Sequence, residues 1–180
     1  DENVTLTNCV FSNNTSAHYA GAVQVAANGA TLTINRCTFS TNTASLAGGA
    51  IVALGTLALN VSDSTFSGNS LTTAGASGGA INQSFGGSLL LQGCLFSANS
   101  SNNFGGAMWI NGPFSSAIIR NSTYSGNTAT SSGGAIMLGA VYSGSLTVQN
   151  STITNNTATG NDGGGIARLV DSLATISLES

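Results

Sequence analysis

Two short motifs recur in fixed order along the whole chain, and that repetition constrains the fold more than any other feature. One motif is an aromatic or aliphatic residue, a hydroxyl residue, any residue, then Asn. It begins at Phe11, Phe39, Phe66, Phe96, Tyr124 and Ile153, at spacings of 28, 27, 30, 28 and 29 residues. The other is Gly-Gly-Ala-Ile or a close variant: Ala20–Val23, Gly48–Ile51, Gly78–Ile81, Gly105–Met108, Gly133–Ile136 and Gly163–Ile166. A third segment, before each aromatic, alternates apolar residues with period two: Val4 and Leu6, Leu32 and Ile34, Leu59 and Val61, Leu89 and Leu91, Ala117 and Ile119, Leu146 and Val148, with a further copy at Ile176 and Leu178. That alternation marks half-buried strands. Helix-period patterns are absent, and a Gly pair in every unit opposes helices.

A unit of about 28 residues cannot enclose its own core, so each must stack on its neighbours. Four-stranded propeller blades need more residues, and the Leu-x-x-Leu-x-Leu frame of leucine-rich repeats is missing. The pattern predicts an all-β parallel β-helix, a solenoid of about six coils with three short strands per coil. At one interstrand spacing per coil it would rise to roughly 30 Å. Residues 1–180 are read as a single β-helix segment, either a piece of a longer solenoid or a unit that stacks end to end. The insertion at Leu71–Ser77 should bulge outward, and Pro113 should sit in a bend.

Residues one repeat apart then lie over one another. Phe11, Phe39, Phe66, Phe96 and Tyr124 become an apolar spine. Asn14, Asn42, Asn69, Asn99, Asn127 and Asn156 become an amide ladder at a bend, each side chain bonding the next and the local backbone. Cys9 and Cys37 share a column with Ser64, Cys94, Ser122 and Ser151. Their coils are close enough for a disulfide, although parallel side chains suit one poorly, so the bond is left open. Cys94 should be free. Arg36 and Asp63 fall on neighbouring coils, where a surface ion pair is the expectation.

Composition narrows the function classes. The chain has 3 Arg, no Lys and 6 acidic residues, a net charge of −3, and only 5% charged residues. It lacks the basic surface that nucleic acid or an anionic membrane requires. No apolar run is long enough for a transmembrane helix. A mean hydropathy of +0.24 argues against disorder. The acids do not pair as a glycosidase needs, and no Ser stands beside His and Asp partners, so no catalytic residues are assigned. Asp162 and Asp171, with Arg168 between them, are read as solvated. No metal site and no cofactor is expected.

Candidate contact surfaces are the outward rows. Thr38, Thr65, Thr123 and Thr152, with Ser40, Ser67, Ser125 and Thr154 two residues on, form a hydroxyl ladder. It resembles the flat face of ice-binding antifreeze proteins, which is one alternative reading. Leu90 beside Ile118 gives a small apolar patch. Trp109 beside Met137, expected to face out with Val52 and Asn82, is a contact spot for a protein or a sugar ring. A carbohydrate-binding or carbohydrate-processing β-helix is the other alternative.

The combined motifs resemble the repeats of chlamydial polymorphic outer membrane proteins, which are similar to autotransporter passenger repeats. Gly48–Ile51 with Phe66–Asn69, and Gly133–Ile136 with Ile153–Asn156, carry the likeness. The resemblance implies a right-handed parallel β-helix, exported to the cell surface, that serves adhesion or forms a stalk. Its partners would be a protein or glycan at a cell surface, or further copies stacked end to end. It supplies no catalytic residues.

Overall fold

In the computed structural model, residues 3–139, 144–160, 162–169 and 175–180 are described, with the side chains of 114 and 115 excepted. The chain winds into a parallel β-solenoid of about six coils. The first sheet joins seven strands in sequence order: Val4–Thr7, Thr31–Asn35, Ala58–Ser62, Gly87–Gln92, Phe114–Arg120, Ser145–Gln149 and Thr175–Glu179. Every pairing is parallel, and apart from a shift between Gly87 and Ser88 each follows the register that the repeats dictate, as in Leu32↔Leu59↔Leu89↔Ala117↔Leu146↔Ile176. A second sheet carries the aromatic residues, with Phe11↔Phe39↔Phe66↔Phe96↔Tyr124↔Ile153 as direct partners.

Each coil has four strands, one more than the sequence pattern predicts. The extra sheet is built of two-residue strands just after each ladder Asn: Thr15–Ser16, Thr43–Ala44, Ser70–Leu71, Ser100–Ser101, Thr128–Ala129 and Thr157–Ala158. Two residues cannot display a period-two pattern, so these strands read as loop. The fourth sheet follows the Gly pair and runs from Val23–Ala26 to Ile166–Arg168. The insertion does bulge as expected: Thr72–Gly75 are exposed, while Leu71 and Ala76 turn in against Ala44.

The interior is a set of axial columns. Ring centroids in the aromatic spine are 4.7–4.8 Å apart with planes within 6° of parallel. That distance is the interstrand spacing, so the rings stack offset along the axis. Tyr124 occupies one rung fully buried, and its hydroxyl has no hydrogen-bond partner.

Asn42, Asn69, Asn99 and Asn127 are fully buried. Each Oδ1 accepts from both the backbone N–H and the Nδ2 of the Asn in the preceding coil, at 2.8–3.1 Å. Each Nδ2 also donates to the carbonyl of the preceding coil's aromatic residue, as Asn99 does to Phe66 at 3.0 Å. Both ends of the amide are thus satisfied inside the core, which removes the desolvation cost of burying it.

The Cys and Ser column is a second ladder. Cys37 N–H donates to Ser64 Oγ at 3.0 Å, and Cys94 N–H to Ser122 Oγ at 3.1 Å. Each side chain in turn donates to the carbonyl two residues back, whether it is a thiol (Cys94 to Gln92) or a hydroxyl (Ser122 to Arg120). Cysteine therefore does serine's job here, and all three thiols are free.

The two glycines of each pair have different causes. The first lies at positive φ, from Gly48 at 57° to Gly78 at 80°, a conformation that penalises a Cβ. Ala20 takes the same position at 51°. The second is a matter of space: a Cβ on Gly79 would lie inside the carbonyl oxygen of Gly106 and against that of Ser100.

Candidate functional site

The sequence-selected surface residues distribute unevenly. Thr38, Thr65, Thr123 and Thr152 align across the second sheet, with Leu95 interrupting them between Thr65 and Thr123. Val10, at the head of the row, is largely exposed. Leu90 and Ile118 are half-buried direct partners on the first sheet. Leu90 and Asn60 line a shallow depression that also takes in Asp63 and Gln92.

Arg36 does not approach Asp63 as an ion pair; its Nε donates to Asn8 Oδ1 at 2.9 Å. The shared column of Asn8, Arg36, Asp63, Gly93, Asn121 and Asn150 has another cause. All six residues have φ between 45° and 64°, so this is the left-handed corner between the first and second strands of each coil. Asn, Asp and Gly tolerate that conformation best. Asp162 is exposed, and Asp171 lies outside the described residues.

The expectation for Trp109 and Met137 requires correction. Met137 is 1% exposed and offers no contact surface. The two residues are direct partners, and their row points away from the main core as predicted. A wall covers it: the column Tyr19, Ala47, Ser77, Phe104, Ser132, which precedes the Gly pairs, folds back over the fourth sheet. Val52 is buried with Ala20 and Ala47 beneath this wall, and Trp109 stacks on Phe104 with ring centroids 5.3 Å apart. Alternation along one strand cannot reveal a cover supplied by a neighbouring loop.

What the wall leaves open is a groove of about 380 Å³ beside it, within the roughly 300–1,000 Å³ of small-molecule sites. Leu54, over buried Val52 and Ala47, gives it an apolar floor, and Ser84 and Asn111, with buried Asn82 behind them, form its polar side. Tyr19 and Phe85 rim it at 44% and 66% exposure. Among the described residues no charged side chain lines it.

Phe85 is the anomaly of the fold. Its position in the coil is held by Gly55 in one neighbouring coil and Gly112 in the other, both at positive φ. Phe85 adopts φ 81° at this glycine position, followed by Gly86 and Gly87 at 104° and 100°. A bulky residue in such a conformation costs on the order of 1–3 kcal/mol. Its ring is also mostly in solvent, so little burial offsets that cost.

The turn is braced from below. Gln83 sits fully buried in the core, in register with Ala53 and Ile110, and its Nε2 donates to Ser88 O across the turn at 3.1 Å. Its Oε1 has no partner. Beside it, Asn82 Nδ2 donates to Ser77 O of the wall, and Ser84 Oγ donates to Asn82 Oδ1 at 2.8 Å. Asn111 Oδ1 is buried over Gly139 without a donor. Phe85 was visible in the sequence: among the described residues the matching bend positions are Ala27, Gly55 and Gly112, none of them aromatic.

Among the described residues no three His, Cys, Asp or Glu side chains gather as a metal site would require. No described helix is long and apolar enough to cross a membrane. The family model of the Chlamydia polymorphic membrane protein repeat matches residues 36–54, one copy of the aromatic-to-Gly-Gly-Ala-Ile unit. No curated protein and no solved structure matches the chain.

Proposed function

We propose that this chain is a non-enzymatic β-solenoid segment of an extracellular or cell-surface protein, acting as a stalk that presents adhesive surface to a protein or glycan partner. The observation that carries this reading is the use to which the repeat is put. The recurring inward polar columns, Asn and Cys/Ser, are bonded along the axis, so the repeated chemistry serves to extend the solenoid. The same register runs through all four sheets, so coils add without a change of design. A surface of Thr, Ser and Asn with few charges suits an exported scaffold, and the matched repeat, found in a membrane-protein family, is in keeping with it.

The test is adhesion. Beads coated with the purified chain are expected to bind cultured epithelial cells well above beads coated with an unrelated β-solenoid. The chain should release no product from a panel of polysaccharides. Binding no better than the control, or turnover of any polysaccharide, would overturn the proposal.

A further inference from the structure

We infer that the groove between Tyr19 and Phe85 binds a sugar ring of a neutral oligosaccharide; this rests on the adhesive reading above and names its partner. Three features converge. First, the lining has one apolar side and one polar side: Leu54 forms the floor over buried Val52, and Ser84 and Asn111 lie alongside, with Asn82 buried behind them and bonded to Ser77 and Ser84. A pyranose has the same division, a face of C–H groups and an equator of hydroxyls. Carboxamide and hydroxyl side chains both donate and accept, which matches sugar hydroxyls. Second, no charged residue among those described lines the groove, so none of them would hold an anionic or cationic ligand against its loss of hydration.

Third, the rim is built against the interest of the fold. Two exposed aromatic rings flank the groove, and flat rings are the side chains that cover a C–H face with little loss of conformational freedom. Phe85 is held at positive φ where the adjacent coils have glycine, on a turn that a buried glutamine braces. Observed strain of this kind points to a site, because the fold alone would place Gly there. Asn111, on the polar side of the groove, has a buried Oδ1 without an internal donor.

The experiment is a titration of the isotopically labelled chain, followed by amide and aromatic NMR shifts. Cellohexaose, maltoheptaose and lacto-N-neotetraose are the neutral probes, and a sulfated heparin hexasaccharide is the anionic one. At least one neutral probe is expected to bind with a micromolar to millimolar Kd, shifting Tyr19, Ser84, Phe85 and Asn111. Phe85→Gly should weaken that binding at least about tenfold, while its melting temperature stays equal to or above the parent's. Tyr19→Ala tests the opposite rim and should weaken the same probe.

No shift with any neutral probe at millimolar concentration, shifts confined to other surfaces, equal binding by Phe85→Gly, or preference for the heparin fragment would each overturn the inference. The two readings fail separately. Cell adhesion that survives enzymatic removal of cell-surface glycans would leave the adhesive scaffold standing and sink the sugar site. Sugar binding without adhesion would do the reverse.

Discussion

Cutting one rung of the amide ladder at mid-stack should cost far more than cutting it at the edge. Asn99→Ala removes two bonds accepted by Oδ1, from Asn69 N–H and Asn69 Nδ2, and two donated by Nδ2, to Phe66 O and Asn127 Oδ1. Asn127 Oδ1 keeps the backbone N–H of residue 99 as a donor, so it is not orphaned. Asn69 fares worse, because its backbone N–H and one Nδ2 proton are left fully buried without an acceptor. Two orphaned donors at about 1–3 kcal/mol each, plus about 1 kcal/mol for the bond lost at Phe66 O, give roughly 3–7 kcal/mol. That is a large part of the about 5–15 kcal/mol that holds a typical domain. Asn14→Ala is the internal control. Asn14 is exposed and loses only its Nδ2 bond to Asn42 Oδ1, which still accepts from the backbone, so the cost should be about 0.5–1.5 kcal/mol. Urea unfolding followed by circular dichroism measures both. A penalty for Asn99→Ala below about 1 kcal/mol, or one equal to that of Asn14→Ala, would show that the amides are not an axial bonding device.

Two further variants probe single buried groups. Tyr124→Phe keeps the ring between Phe96 and Ile153 and deletes a buried hydroxyl without a partner, so urea unfolding should show it about 1–2 kcal/mol more stable; a loss of that size would mean the hydroxyl is bonded. Burial pushes the Cys94 thiol up from 9.0 to about 11, opposed by backbone hydrogen bonding with Ser64 and Gln92 and helped slightly by Asp63. The unfolded thiol therefore ionises first as pH rises, the unfolded state binds fewer protons, and stability falls between pH 9 and about 11 by about 2 kcal/mol. Below pH 9 the thiol is protonated in both states and contributes no slope. Cys94→Ser, a side chain already used at Ser64 and Ser122, should flatten that part of the pH–stability curve, and an unchanged slope would refute the assignment.

Most of the scaffold was legible because each column repeats one physical demand six times. Phe39 over Phe66, Asn42 over Asn69 and Gly49 over Gly79 follow directly from spacing once strands are known to stack at a single separation. The legible part stops where a demand is met by something other than the residue's own strand. Met137 alternates as an outward residue yet is buried, on the face where the wall packs against its row-mates Val52, Asn82 and Trp109. Arg36 and Asp63 looked like an ion pair by position, when the column's real requirement is a left-handed corner. The two-residue strands, such as Thr43–Ala44, are too short to carry any pattern. The groove was missed for a related reason: its rims, Tyr19 and Phe85, lie in bends of different coils and share no column.

That failure points to where activity in such a solenoid should be sought. A column residue is fixed by the coils above and below it, so any change there is felt along the axis. Bends and outward rows have fewer neighbours and can vary at little cost. A departure from column chemistry that raises the fold's energy is then informative, since stacking alone would remove it. Coil three holds several: a core glutamine where its partners are Ala53 and Ile110, an exposed phenylalanine where its partners are Gly55 and Gly112, and the outward loop of Thr72–Gly75. The first two are linked by one hydrogen bond, from Gln83 Nε2 to Ser88 O, so the buried defect supports the exposed one. A scaffold under no demand but to stack would have Ala and Gly at both positions, which is why the groove they border is the place to test.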